Sequence, residues 1–480
     1  MKRPEIDPIV FRYSANLKIK SQQLIHWKCR LLVVMFLLFL LFGSIWSVYP
    51  AWVLMSLALM NFIMLLVFRI EFALRTHKYG EDLLNKSVRD ENVSGQNIHM
   101  ELPAISAIVP LKHEGEIIYS TLRSISRIDY PASKMEVLII VEADDQYTLS
   151  FLNAVKLPFN FHIIKIDCMP PFTKGRALLH GLEHAKGDII TVYDAESNPH
   201  TLQFQHAASA FLHHGADQCY QAIIRISNLD ANLMTKFFAG EYFDWYEKYL
   251  AYVSDLNFPF GLGGNSFFIR KDLLMQCGAW DAFNVTEDAE LSVRLYQNNI
   301  KTKLIHTTTK ESCPETVLEW LKQRVRWNKG LMITQIMHMA GVKDILKGLP
   351  VNKWFRFWSR MLTGIMLPFS TLYILLFFMT SNPLKSILYP TTMSFLLFVF
   401  LAFSILVSIW SDRRTFRNLN IKMNPFQMLF GTIMYMSLYI VAGFIAYFEY
   451  FFAPLKWNKT HHPAQILEEE VSPSEAKNVV

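Results

Sequence analysis

Apolar positions run almost unbroken over 31–48 and again over 51–70, with Tyr49-Pro50 between them. Each run is close to the roughly 20 residues a helix needs to span a bilayer, so the pattern predicts a transmembrane hairpin over 31–72. A cleaved signal peptide fits poorly, because the second run follows at once and no small-residue cleavage site separates the two. Residues 73–100 are polar, have no sustained apolar period and read as a linker. From Pro103 the pattern changes to short β-branched runs (AISAIVPL, MEVLIIVEADD, FHIIKID, DIITVYDAE) separated by helical segments. That alternation predicts an α/β domain over 101–345, built on a parallel sheet whose ligands bind beyond the carboxyl ends of the strands. After Gly330 a mixture of Met, Ile and Trp with Lys and Arg predicts an amphipathic helix at a membrane surface. Interfacial and transmembrane helices are expected over 346–460, with spanning candidates at 361–380, 389–410 and 426–452. A polar tail, 461–480, is predicted to be disordered.

Charge orients this layout. Residues 1–30 hold seven Lys or Arg against two acids, and Arg413, Arg414, Arg417 and Lys422 crowd the loop 411–424. Cytoplasmic loops are enriched in Lys and Arg, so the N-terminus, the α/β domain and that loop are expected in the cytoplasm of a multi-pass inner-membrane protein. The overall net charge of +6 is modest and sits beside apolar runs, which gives a nucleic-acid partner little support. Five cysteines occur singly, with no CxxC, which favours reduced thiols and argues against a zinc site.

Polar residues at the strand ends are the candidates for chemistry. Asp194 and Glu196 end an apolar strand one residue apart, and alternate strand positions project to one side, where two acids can hold a hard divalent cation. Thr286-Glu287-Asp288 opens a helix, and a carboxylate there can take a proton from an alcohol. Downstream, Gln323-x-x-Arg326-Trp327 offers an amide, a fixed cation and a flat apolar surface on one helical face, suited to a pyrophosphate and a sugar ring. An aromatic-rich stretch, EYFDWYEKYLAY, precedes the run Phe260-Gly-Leu-Gly-Gly-Asn-Ser-Phe-Phe-Ile-Arg270. No GKS/T follows that run, so it is not a phosphate loop.

In this order, TED followed by QxxRW resembles the membrane-embedded family 2 glycosyltransferases, which include cellulose, hyaluronan and poly-N-acetylglucosamine synthases. The ending Trp457-Asn458-Lys459-Thr460-His461-His462 resembles bacterial exopolysaccharide synthase-like members. The resemblance implies a GT-A-type, Rossmann-like cytoplasmic domain inserted between transmembrane helices, and an inverting transfer from a nucleotide sugar to a growing polysaccharide. It implies Asp288 as the catalytic base, with Glu287 orienting the turn and Gln323, Arg326 and Trp327 clamping acceptor and pyrophosphate. Asp194-Ala195-Glu196 resembles the DxD motif, implying Mg²⁺ or Mn²⁺ as cofactor, though Glu stands at its third position. Asp144 and Asp145 resemble the family's first acid, and which of the two would contact the nucleotide stays open. Glu114 is carried over from a Pro-x-x-Asn-Glu turn in which His113 replaces Asn. Lys174 and Arg176 are carried over from a Thr-Lys-Pro-Lys/Arg-Ala-Leu segment in which Gly175 replaces Pro. Both cations are expected at the diphosphate, and the glycine-rich run is expected to shape the acceptor pocket.

The implied partners are a nucleotide-sugar donor, a glycan or lipid acceptor, the bilayer, and accessory polysaccharide-export subunits. Two other readings stand beside the polysaccharide synthase: a non-processive enzyme acting on a lipid, and an inactive scaffold of a secretion complex. The intact acids and QxxRW disfavour the scaffold. One conflict concerns the tail. Three full C-terminal spans would place the WNKTHH motif outside, away from any nucleotide. Glu449 is costly deep in lipid, so 426–452 is expected to lie partly along the cytoplasmic interface, leaving the tail inside.

Overall fold

The computed structural model describes residues 6–15 and 17, scattered positions between 60 and 74, 102–258 except 116, 261–339, and 391–452. The apolar run 31–48, the span 361–380 and the WNKTHH motif lie outside the described residues. Two compact units divide the chain. One comprises Met1–Lys20, Lys78–Gln323 and Leu455–Val480, and the other Ser21–His77 and Arg324–Pro454.

The first unit opens with helix α1 (Pro8–Ala15) and then alternates strands and helices. These are β1 (Ile105–Leu111), α2 (Ile117–Ser126), β2 (Met135–Glu142), α3 (Gln146–Asn153), β3 (Phe161–Ile166), α4 (Lys174–His184) and β4 (Ile189–Val192). The strand runs read from the sequence are these four strands. They pair in parallel in the order β3-β2-β1-β4. β1 and most of β2 are buried on both faces, which explains why their sequences are continuous apolar runs rather than alternations.

Beyond β4 the sheet becomes mixed. β5 (Asn198–Pro199), α5 (Gln203–His213), β6 (Gln218–Ile226), α6 (Leu233–Phe243), a π-helical turn (Asp244–Leu250) and α7 (Ala251–Asp255) follow in the chain. Then come β7 (Phe267–Arg270), α8 (Lys271–Gln276), α9 (Glu287–Gln297), β8 (Lys301–Glu311) and α10 (Val317–Met339). β7 lies antiparallel between β4 and β6, and β8 runs parallel to β6 with an irregularity at Ala222/Ile223. The full order is β3-β2-β1-β4-β7-β6-β8-β5. Two apolar layers flank this sheet. One holds Ile108, Leu178, Leu182, Ile190, Phe267 and Trp280, the other Ile105, Val109, Ile118, Phe204 and Phe268.

β1 connects outward to β2 on one side while β4 lies on its other side, so the strand order reverses at β1/β4. A crevice beyond the carboxyl ends of such strands is where open α/β sheets bind ligands.

The second unit contains the rest of α10, together with α11 (Thr391–Asn418) and α12 (Pro425–Phe452). Asn424 and Gln427 begin α12 with a reciprocal cap: the Asn424 side chain accepts from the Gln427 N–H at 2.8 Å, and the Gln427 side chain accepts from the Asn424 N–H at 3.1 Å. Pro425 takes the first helical position, where its missing N–H costs nothing. Among the described residues α12 is the one helix long and apolar enough to cross a membrane.

Candidate active site

Three loops converge beyond the carboxyl end of β4. Thr173 caps α4, accepting from the Arg176 N–H, while its hydroxyl donates to the Ala282 carbonyl at 2.6 Å. That bond fixes the first turn of α4 against the loop leading into α9. Gly175 is the residue that allows the approach: a Cβ there would lie 3.1 Å from the Ala282 Cα and 3.2 Å from the Asp281 carbonyl oxygen. Lys174 is thereby aimed into the crevice, where its ammonium donates to the Gly264 carbonyl at 2.8 Å and pairs with Asp194.

Gly264 marks the centre of the site. A Cβ on it would sit 3.3 Å from Asp288 Oδ2, 3.4 Å from Lys174 Nζ and 3.8 Å from Asp194 Oδ2. Three sequence-predicted residues from three separate segments thus meet at one backbone position. Burial alone would push the Lys174 pKa down, but Asp194, Glu287 and Asp288 outweigh it and hold the pKa above its ordinary value. A lysine so held is permanently charged and fits an anionic leaving group.

Asp194 and Glu196 sit differently from the strand-end picture. β4 stops at Val192, and both acids lie in the turn beyond it, so their proximity comes from the turn rather than from strand alternation. Asn265 donates to Asp194 Oδ2 at 3.1 Å and also to Glu311. The Ser197 hydroxyl donates to Glu311 Oε1 at 3.1 Å and accepts from the Asp194 N–H at 3.0 Å. Glu311, the last residue of β8, went unread in the sequence. Burial, Glu196 and Asp194 push its pKa up to about 8.

Asp194 and Glu311 both accept from the buried Asn265, whose Oδ1 has no hydrogen-bond partner among the described residues, and with Glu196 near Glu311 the donors on offer are all oxygens. Such a set suits a hard cation such as Mg²⁺ or Mn²⁺, with Asp194 and Glu196 as the residues that would hold it. A second group of candidate ligand atoms, on Glu142, Asp144 and Cys168, lies within 4.8 Å of one another. There the hydrogen bond to Asp144 comes first and burial second in pushing the Cys168 thiol up to about 11, so it acts as a neutral donor. Glu142 is already paired with Arg176 and Lys112.

The TED segment is anchored from below. Asn284 Oδ1 accepts from the Thr286 N–H at 3.0 Å, and Glu287 is buried at the start of α9. Asp288 Oδ1 accepts from the Ala289 N–H at 2.8 Å, which turns Oδ2 toward Gly264. Ser292 donates to the Asp288 carbonyl and accepts from the Leu262 N–H, both at 2.7 Å, tying α9 to the glycine-rich run. From β6 the fully buried Gln221 secures the same run, accepting from Gly263 N–H at 2.9 Å and donating to the Asn265 carbonyl at 3.0 Å. Tyr246 of the π-helical turn packs so closely on Gly263 that a side chain there would overlap its hydroxyl. Inserted π turns recur at functional sites. The aromatic stretch gave no sign of this one, because an i to i+5 turn has no distinct apolar period.

At the β1/β2 end, Asp144 and Asp145 differ in burial and partners. Asp145 is buried and caps α3, accepting from Thr148 N–H at 3.1 Å, the Thr148 hydroxyl at 2.6 Å and His113 N–H at 2.6 Å. Burial alone would raise its pKa; those hydrogen bonds hold it below the ordinary value. Asp144 is exposed. The Glu114 N–H donates to Thr148 Oγ1 at 3.0 Å, tying the β1 end to α3. His113 adopts φ +50°, a conformation that Asn takes more readily.

Arg176, expected as a second diphosphate cation, is almost fully buried on the far side of the first α4 turn. It donates to Glu142 at 2.7 Å, the Asp167 carbonyl at 2.7 Å and Asp7 at 3.3 Å. Its charge is therefore engaged within the fold.

QxxRW lies on α10. Gln323 is buried in the first unit, and its Oε1 has no hydrogen-bond partner among the described residues. Arg326 and Trp327 belong to the second unit. There the Arg324 guanidinium lies 4.3 Å from the Trp327 ring centroid and 5.2 Å from that of Tyr439, so Arg324 covers one face of Trp327.

A mixed α/β sheet thus carries acids and a lysine near the point where its strand order reverses. Residues 103–330 match the family described as "Glycosyltransferase like family 2". That likeness covers 228 of the chain's 480 residues, a little under half.

Among curated relatives, a "Probable glycosyltransferase YdaM" of Bacillus subtilis is 26% identical over 247 residues, covering 50% of this chain and 58% of the relative. A "Beta-monoglucosyldiacylglycerol synthase" of Trichormus variabilis is 26% identical over 235 residues, covering 48% and 49%. The chain thus spans about half the length of the curated relatives it matches. Among solved structures, a mannosyltransferase from Pyrobaculum calidifontis in complex with GDP-Man and Mn²⁺ aligns with 79% of this chain and 98% of its own, at a TM-score of 0.45 and 15% identity.

Proposed function

We propose that this protein transfers a sugar, with inversion, from a UDP-linked nucleotide sugar to a growing polysaccharide at the cytoplasmic membrane face, and passes the product outward. The observation that carries this reading is the convergence of Asp288, Lys174 and Asp194 on Gly264. Asp288 Oδ2 accepts the proton of the acceptor hydroxyl, whose oxygen then attacks the anomeric carbon from the face opposite the diphosphate. The bond from that carbon to the diphosphate oxygen breaks, and the diphosphate departs beside the Lys174 ammonium. A divalent cation held by Asp194 and Glu196 would add charge neutralisation for that leaving group. Preorganised charge of this kind is commonly the largest single contribution to such catalysis.

The export part rests on the QxxRW resemblance and on the apolar helix α12. A lipid acceptor is the second reading, favoured by the printed name of the Trichormus relative, a diacylglycerol glucosyl synthase. Incubating membranes that contain the protein with a panel of labelled nucleotide sugars tests the reading. A long product on a sizing gel supports the polysaccharide, and a single-sugar lipid supports the alternative. No incorporation from any donor would overturn both.

A further inference from the structure

The segment ahead of the first apolar run is part of the catalytic unit. Residues 6–15 lie outside the family match, which begins at 103, yet Val10 and Tyr13 are buried in the same apolar layer as Leu178, Leu179 and Leu182 of α4. Asp7 opens α1: its Oδ1 accepts from the Ile9 N–H at 2.9 Å, and its own N–H donates to the Pro170 carbonyl at 3.2 Å. The other oxygen, Oδ2, meets His180 Nε2 at 2.8 Å and Arg176 Nη1 at 3.3 Å, both from α4. At the far end of α1, Arg12 pairs with Glu183 at 3.0 Å.

These contacts continue toward the donor side of the crevice. Arg176 passes from Asp7 to Glu142 at 2.7 Å, and the other oxygen of Glu142 pairs with Lys112 at 3.3 Å. Glu142 ends β2 two residues before Asp144, Lys112 directly follows β1, and Arg176 stands two residues after Lys174. One chain of charges, buried at Asp7 and Arg176 and partly buried at Glu142 and Lys112, thus runs from the N-terminal segment, through the first turn of α4, to the ends of β1 and β2.

We infer that α1 is a built-in clip for the donor site and that Asp7 is a positioning residue for it. Docking of residues 6–15 holds Arg176 in place, and through it the α4 turn that presents Lys174 and the strand end that presents Asp144. A carboxylate is required because the buried guanidinium needs a second anion besides Glu142. This inference rests on the sugar-transfer reading for its functional consequence and on geometry alone for the docking.

The test uses the full chain in detergent or native membranes, with Asp7→Asn, Asp7→Glu and Val10→Asp compared with wild type. Donor KM and kcat are measured together with backbone amide exchange over 139–145 and 174–180. Asp7→Asn and Val10→Asp are expected to raise donor KM by about 10- to 100-fold, the range usual for residues that orient a binding group. The expected kcat stays within a few-fold, exchange rises in both segments, and Asp7→Glu stays close to wild type. A synthetic peptide of residues 1–17 added to Val10→Asp should restore KM, which separates undocking from misfolding. Raised exchange with unchanged KM in both variants would reduce α1 to a structural prop and overturn the positioning role. Unchanged exchange would overturn the docking itself, and that comparison holds without turnover. A wild-type protein that turns over no nucleotide sugar would fail the sugar-transfer reading instead.

Discussion

Asp288 and Asp194 stand around one glycine but should fail differently when altered. Asp288→Asn keeps the shape and removes the proton acceptor, so transfer should drop by about 10²–10⁴-fold while donor binding persists. Steady-state transfer beside calorimetric donor titration checks this, and transfer within a few-fold of wild type would remove Asp288 as the base. Asp194→Asn should instead abolish the Mg²⁺- or Mn²⁺-dependent part of donor affinity; unchanged affinity would remove it from the cation site. Glu311 supplies a pH signature. Its folded pKa is about 8 against an ordinary 4.5, so the folded protein keeps a proton that the unfolded chain releases. Its contribution to stability is present below pH 4.5 and is lost as pH rises toward about 8. In chelator-containing buffer the melting temperature should therefore fall between pH 5 and 8, and less steeply in Glu311→Gln. Parallel slopes in the two proteins would contradict the assignment. Gly264→Ala should fold normally yet lose activity, because its methyl would enter the space between Asp288 and Lys174.

At the scale of elements, the site depends on how α4, α9 and the loop 261–266 are held together. Thr173 and Gly175 bind α4 to the loop before α9, Ser292 binds α9 to Leu262, and Gln221 binds β6 to Gly263 and Asn265. In the second unit α10 and α12 meet through charge: Lys329 pairs with Glu449 at 3.4 Å, and Arg324 lies within 3.4 Å of the Tyr435 hydroxyl. The sequence treated Glu449 as a residue too costly for lipid unless interfacial. Lys329 offsets that cost, so Glu449 alone no longer argues for an interfacial helix. Breaking a largely buried pair leaves one charge uncompensated, whereas removing both is often tolerated. Lys329→Met and Glu449→Gln are each expected to melt earlier than the double variant. A double variant that melts no later than the worse single would dissolve the pairing.

For the whole molecule, α1 and the sheet share one unit. At about 1.5 Å per residue, the 28-residue α12 is about 42 Å long, more than the roughly 30 Å hydrocarbon core. It is therefore expected to cross. Single cysteines at Asn420 and at Ser472, in a background without the native cysteines, should then respond oppositely to an impermeant thiol reagent on intact cells. Equal labelling at both sites would return α12 to the interface.

The sequence by itself determined the four parallel strands, because buried parallel strands must be continuously apolar and their punctuation is polar. The family resemblance put Lys174, Asp194 and Asp288 forward as candidates, and the structure brings all three to one glycine. What only the tertiary structure decided is which polar residues are engaged within the fold. Arg176 and Lys174 are both buried cations, but Arg176 turns to Asp7 and Glu142 while Lys174 faces Asp194, and Asp145, unlike the exposed Asp144, is held by Thr148 and His113. Those partners, up to about 170 residues away in the chain, leave no local periodicity. Glu311 escaped for the same reason: its proximity to Asp194 and Asn265 is set by where β8 ends in the sheet, and nothing in its neighbouring residues encodes that.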